Sequence, residues 1–214
     1  MMTPDLMKQL IRRTVEIDFR YKHRHLPGTL SALPIIALLY DQMRPADVFI
    51  LSKGHSCAAL YAVLEHRGFK PDVTKVHPER DPANGITITA GSLGHGLPIG
   101  VGIALARKRD SQPGIVHVLM GDGECLEGTT WEALHIAGRF QLRDRLHVHI
   151  DCNFFQGSDA LLCDAPCIMP SIYPSVFRHY HGPGHGVRMF ENNPGESTHT
   201  VTDEEFVAIM EELK

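Results

Sequence analysis

Val116-His117-Val118-Leu119-Met120-Gly121-Asp122-Gly123-Glu124, followed later by Leu146-His147-Val148-His149-Ile150-Asp151-Cys152-Asn153, is the stretch that decides the fold. The two apolar runs read as strands over 115–120 and 146–150, each closed by a turn rich in Gly, Asp or Asn. Between them, Thr129 and Glu132 read as a capping box for a helix reaching about residue 140. Strand, helix and strand make a crossover unit. Such crossovers are right-handed, so both strand ends fall on one edge of the sheet. That carboxyl edge is where open α/β sheets bind ligands, and Asp122 and Asn153 are expected to be neighbours there.

One carboxylate and one amide oxygen are too few for a closed protein cage. They suit Mg²⁺, or Ca²⁺ or Mn²⁺ in its place, which keeps positions for phosphate oxygens and water. A main-chain carbonyl just after Asn153, that of Phe155, is a further candidate ligand. Gly121 and Gly123 let the backbone turn sharply and bring N–H groups to a diphosphate. An isolated Gly-Asp-Gly is more often a plain turn; the Asn at the next strand end favours a metal.

The rest of the chain extends the pattern. Thr3-Pro4 reads as the start of a helix to about Tyr21, with Leu6, Leu10, Ile17 and Tyr21 on one face. A turn over residues 25–29 precedes a mostly apolar helix capped by Ser31 and running to about Met43. A strand over 48–51 ends in Ser52-Lys53-Gly54-His55, and a helix follows to His66, stopped by Gly68. Residues 70–90 read as loop. The run Gly91-Ser92-Leu93-Gly94-His95-Gly96 opens a helix to about Lys108, in which Gly100 and Gly102 suggest close packing. Residues 154–195, rich in Pro, Gly and Cys, resist assignment. Thr202 and Glu205 form a capping box for a last helix with Phe206, Ile209, Met210 and Leu213 as its stripe. With no repeat or linker, the chain reads as one domain over 1–214, an α/β fold of three layers with helices on both faces of a mostly parallel sheet.

Composition narrows the function classes. With 214 residues, 43% hydrophobic, 21% charged and a net charge of −4, the chain reads as globular, and neither nucleic acid nor an anionic membrane is an expected partner. The longest apolar stretch, over 33–40, is too short to span a bilayer, and residues 1–13 lack a signal-peptide pattern, so a cytoplasmic location is expected. Five cysteines fit reduced thiols. Cys163 and Cys167, without a second pair, make neither a zinc site nor a disulfide framework. Histidine is unusually frequent at 14, and several histidines fall in Gly/Ser-rich turns.

Seven segments resemble those of one enzyme family, in its order: His25-Leu26-Pro27-Gly28-Thr29-Leu30-Ser31; Phe49-Ile50-Leu51-Ser52-Lys53-Gly54-His55; His77-Pro78-Glu79; the glycine run from Gly91 to Gly96; Gly121-Asp122-Gly123-Glu124-Cys125-Leu126-Glu127-Gly128; Asp151-Cys152-Asn153; and Phe190-Glu191-Asn192-Asn193-Pro194. Together they resemble the amino-terminal, diphosphate-binding subunit of a split transketolase. The resemblance implies the thiamine-diphosphate-binding fold of the PP type, with thiamine diphosphate and a divalent metal as cofactors. Asp122, Asn153 and the Phe155 carbonyl fall on the metal-ligand positions. Gly91, Leu93, Gly121, Gly123, Glu124 and His55 fall in the cofactor-binding segments. His25, His55 and His77 match histidines around the reactive thiazolium carbon, with His199 as a fourth.

The implied reaction moves a two-carbon ketol unit from a ketose phosphate to an aldose. Imidazoles suit it, because neighbouring hydroxyls must give up and regain protons near neutral pH. The family places the glutamate that activates the aminopyrimidine in a second domain. The resemblance therefore implies a carboxyl-terminal, pyrimidine-binding partner subunit in a heterotetramer, with sugar phosphates as small-molecule substrates. Two departures stand out. Phe154 occupies a position that is usually glycine, and residues 156–185 make a shortened segment in which an edge strand is lost or the edge is covered irregularly. An alpha-type subunit of a 2-oxoacid dehydrogenase, a carrier-protein acyl-transfer enzyme and a shortened non-catalytic relative remain as alternatives. The three-histidine set favours sugar chemistry.

Overall fold

The computed structural model describes residues 2–156, 159–160, 165–192 and 199–214. Helices α1 (Pro4–Tyr21) and α2 (Leu26–Gln42) precede strand β1 (Val48–Leu51). Helix α3 (Cys57–His66), a loop, α4 (Gly96–Arg109), β2 (Val116–Gly121), α5 (Gly128–Arg139) and β3 (Leu146–Asp151) follow. A short hairpin, β4 (Phe155–Gln156) and β5 (Asp159–Ala160), leads to α6 (Ala165–Ile172), β6 (Val176–His179), α7 (Arg188–Asn192) and α8 (Asp203–Glu212). The order β1-β2-β3-β6 makes a four-stranded sheet in which every pairing is parallel.

Alternation along the strands sorts the core into two layers. Phe49, Leu51 and Leu119 pack with α1, α2 and α3 on one face. Ile50, Val118, Met120, Val148 and Ile150 pack with α4, α5 and α6 on the other. The result is the expected three-layer α/β/α arrangement. No helix among the described residues is long and apolar enough to cross a membrane.

Several local expectations give way to the structure. Residues 25–29 are no free turn: α2 begins at Leu26, with Pro27 in the first turn, where its missing N–H has no helical partner to lose. Ser31 therefore lies inside the helix, and its hydroxyl donates to Asp151 Oδ2 at 2.6 Å. Thr129 does not cap α5; its hydroxyl donates to Gly94 O at 3.0 Å, a tertiary partner that displaces the local box. The Thr202 and Glu205 box forms, each side chain accepting from the other's N–H. The Pro/Cys-rich segment is less irregular than expected: it supplies α6 and then β6, which pairs with β3. Pro170 lies inside α6 and β6 is only four residues long, so neither carried a readable period. Cys163, Asn193 and Pro194 lie outside the described residues.

The two glycines of α4 differ. A Cβ at Gly100 would sit 2.5 Å from Val118 Cγ2, whereas one at Gly102 meets nothing within 4 Å among the described residues. Close packing holds for the first and not the second. Gly100→Ala is expected to destabilise the fold by about 1–2 kcal/mol through overpacking. Gly102→Ala is expected to stabilise it by about 0.5–1 kcal/mol through helix propensity. Urea denaturation of the two variants measures both signs.

Asp18 on α1 is 2% exposed, and its Oδ2 has no hydrogen-bond partner among the described residues. Burial pushes its carboxyl up to about 7, against the pull of the His25 and Arg24 N–H groups. In the unfolded chain the group ionises from about pH 4. As pH rises from there to about 7, the folded chain holds a proton that the unfolded chain has lost, so stability falls by up to roughly 4 kcal/mol and then levels. Asp18→Asn is expected to remove that slope, which denaturation midpoints at about pH 4.5 and about pH 7.5 would register.

Candidate functional site

The strands β1, β2 and β3 deliver Lys53, Asp122 and Asn153 to one edge, where a cleft of about 270 Å³ opens. Asp122 is 3% exposed. Its Oδ1 accepts the Gly123 N–H at 2.9 Å and its Oδ2 the Phe154 N–H at 2.6 Å, so the carboxylate ties the tip of β2 to the turn after β3. Asn153 Oδ1 accepts the Phe155 N–H at 3.0 Å, and its Nδ2 donates to Ser31 Oγ at 3.0 Å. These bonds aim both oxygen-bearing groups, with Phe155, at the same cleft. Burial raises the Asp122 pKa, opposed by the Phe154 N–H and by the Lys53 charge. A buried carboxylate of this kind gains from an added cation.

Phe154 does not spoil the loop. It takes a left-handed conformation, φ 58°, which costs a non-glycine residue about 1–2 kcal/mol. Its N–H still reaches Asp122, while its ring is 49% exposed and stacks on Tyr180 with centroids 5.9 Å apart.

Beneath the cleft, two buried networks brace the strand tips. Lys53 Nζ donates to Asp151 Oδ2 at 2.6 Å and to Gly28 O at 2.8 Å. Lys53 also lines the cleft. The sequence reading gives Lys53 no role; its place between a strand end and a glycine was the available signal. Glu124, 1% exposed, accepts from Ser52 Oγ at 2.6 Å, from Gly94 N at 2.9 Å and from Gly121 N at 2.8 Å. Burial raises its pKa, while those donors pull it down. It thus acts on the cleft by fixing three loops. Two of the glycines there admit no side chain: a Cβ at Gly94 would lie 2.6 Å from Glu127 Cβ, and one at Gly96 would lie 2.4 Å from Ser52 Cβ.

The histidines divide. His25, His55 and His77 line the cleft, with the His25 and His55 ring centroids 5.0 Å apart. Burial, then the charges of Lys53, His25 and His77, holds His55 well below the usual imidazole range, so it is neutral near pH 7. Gly91 and Leu93 face the same space, and a Cβ at Gly91 would approach His77 Cδ2 to 3.2 Å. His199 is not brought in. Its backbone bridges to His25, but its Nε2 pairs with Glu205 Oε2 at 2.9 Å, and its ring meets Phe190 edge-on. His95 turns back on its own loop, with Nδ1 2.9 Å from Leu93 O. Pro27, Gly28 and Pro183 complete the wall and were not foreseen.

Residues 40–157 match the family described as "Transketolase, thiamine diphosphate binding domain". Among curated relatives, an apulose-4-phosphate transketolase subunit from Phocaeicola vulgatus is 39% identical over 166 residues, 68% of this chain and 58% of that protein. The 6-deoxy-6-sulfo-D-fructose transketolase subunit SqwG of Clostridium sp. is 36% identical over 62% of this chain and 55% of that protein. The chain spans little more than half the length of these relatives. Among solved structures, transketolases from Pichia stipitis and Leishmania mexicana align with the whole chain and with 40% and 41% of theirs, at TM-scores of 0.77 and 0.72 and 22% identity, which establishes the shared fold. The match over residues 40–157 and this shared fold identify the chain as a member of the transketolase family that carries its thiamine diphosphate binding domain.

Proposed function

We propose that the chain is the diphosphate-binding subunit of a transketolase-type enzyme that moves a two-carbon ketol unit between sugar phosphates, and that a pyrimidine-domain subunit completes its site. The observation that carries this reading is the convergence of Asp122, Asn153 and Phe155 with His25, His55 and His77 on one cleft.

The donor set is all oxygen, which fits Mg²⁺ and leaves positions for diphosphate oxygens and water. Asp122, Asn153 and the Phe155 carbonyl would hold the ion, and Gly121 and Gly123 let the backbone approach the diphosphate. Bound there, thiamine diphosphate supplies a nucleophilic thiazolium carbon for a ketose carbonyl. His55, kept neutral, can donate to or accept from a carbonyl or hydroxyl oxygen of the sugar, and His25 beside it can relay the proton. His77, braced by Gly91, borders the same space. His199, held by Glu205, has no part in this scheme. Three relatives carry the names of transketolase subunits rather than of whole enzymes, which supports a partner for this chain as well.

The test mixes the chain with a pyrimidine-domain partner, thiamine diphosphate and Mg²⁺, then follows consumption of a ketose phosphate and of a 2-oxoacid. Turnover of the ketose phosphate by the mixture, and by neither chain singly, is the expected result. Turnover of the 2-oxoacid instead would transfer the assignment to acyl chemistry. Cofactor binding without either turnover would make the chain a non-catalytic relative.

A further inference from the structure

The face of the sheet that carries α1 to α3 is lined by imidazoles where it runs out toward β6. The parallel register sets His117 opposite His147, and His149 follows two residues on, so period-two alternation points all three the same way. The His117 and His147 ring centroids lie 5.3 Å apart, and those of His117 and His149 5.4 Å. One ring nitrogen from each of the three lies within 4.8 Å of the others. Phe177 of β6, 42% exposed, packs against His147 and His149, and His147 is half-buried beside it.

We propose that His117, His147 and His149 form a binding site for a divalent transition-metal ion of the zinc type, separate from the oxygen-lined cleft. Three imidazoles with an open fourth position suit such an ion, whose Zn–N bonds of about 2.0–2.1 Å place ligand nitrogens about 3.3 Å apart. His117 Nδ1 and His149 Nε2 share a hydrogen bond at 3.1 Å, so they already stand at that spacing, and a tautomer shift of the donor ring frees both lone pairs. Side-chain rotation of His147 closes the set, and the strands need not move. One further feature fits metal-bound histidine. His149 Nδ1 faces His179 Nε2 at 3.1 Å, the second contact that fixes tautomer and ring angle in such ligands.

The electronic state agrees with the geometry. Burial pushes His117 down to about 4 and His149 down to about 2, and it lowers His147 as well. All three are neutral at neutral pH, with lone pairs available to a cation. His117 precedes Asp122 by five residues and His149 precedes Asn153 by four, roughly 13–17 Å along the strands. The two sites also differ in donor type, nitrogen here and oxygen at the cleft, so they select different ions.

The experiment titrates the full chain, free of any polyhistidine tag and stripped with chelator, with Co²⁺ and then Zn²⁺. The expected result is one Co²⁺ per chain with the visible absorption of a four-coordinate nitrogen site, displaced by Zn²⁺ and not by excess Mg²⁺. That signal should persist in Asp122→Ala. His147→Gln, at a half-buried position, should weaken Co²⁺ binding by at least about tenfold. Retained thiamine diphosphate and Mg²⁺ binding in that variant shows that it has folded. A second variant, His149→Gln, should give the same loss. Absence of the absorption, or its survival in both glutamine variants, would overturn the proposal and leave the histidines as packing residues.

Discussion

Asp122→Ala is expected to weaken the joint binding of thiamine diphosphate and Mg²⁺ by more than about 100-fold, since even residues that only orient metal ligands contribute 10–100-fold. The side chain is the sole carboxylate among the three proposed ligands. Without it, two neutral oxygens face a divalent ion and a diphosphate. The free chain should respond mildly. Alanine leaves the Gly123 and Phe154 N–H groups without their acceptor, a loss of about 1–2 kcal/mol. It also removes a buried charge whose pKa is already raised, which offsets part of that loss. Calorimetric titration against the cofactor pair, beside a thermal melt of the free chain, separates the two quantities. Affinity within a few-fold of the parent would remove the metal from Asp122.

The second large effect concerns stability. Lys53 is 4% exposed and Asp151 0%. Their 2.6 Å ion pair is supported by the Ser31 hydroxyl and the Gly28 carbonyl, while Asp151 Oδ1 has no partner among the described residues. Removing one partner strands a charge in the interior, so Asp151→Leu or Lys53→Met should each destabilise the fold by about 3–5 kcal/mol. Exchanging both together, Lys53→Met with Asp151→Leu, should recover most of that loss, because no lone charge remains. Chemical denaturation of the three variants forms a double-mutant cycle. Single variants within about 1 kcal/mol of the parent would mean that water reaches the pair. The double variant should still bind the cofactor poorly, since Lys53 lines the cleft.

Much of this arrangement was legible in the sequence because it rests on short-range rules. The β1 run Val-Phe-Ile-Leu stops at Ser-Lys-Gly, and the structure ends the strand where the residue types change. Handedness of the crossover was enough to bring Asp122 and Asn153 to one edge. What could not be read depended on distant partners. Ser31 looks like a cap until Asp151, 120 residues away, takes its hydroxyl. Thr129 looks like a cap until Gly94 appears beside it. His199 follows a familiar order of segments, yet Glu205 on the next helix holds its ring. The strand β6 was hidden because Val176-Phe177-Arg178-His179 sits at an edge with two of its four residues exposed, so it never alternates.

Glu124 gathers donors from residues 52, 94 and 121, three points far apart in the chain, onto one carboxylate. Releasing any one of them exposes an acceptor in a dry interior and weakens its hold on the other two. The cleft these loops frame therefore yields as a unit, and a diphosphate held there would depart through a collective opening rather than past a single peeling loop.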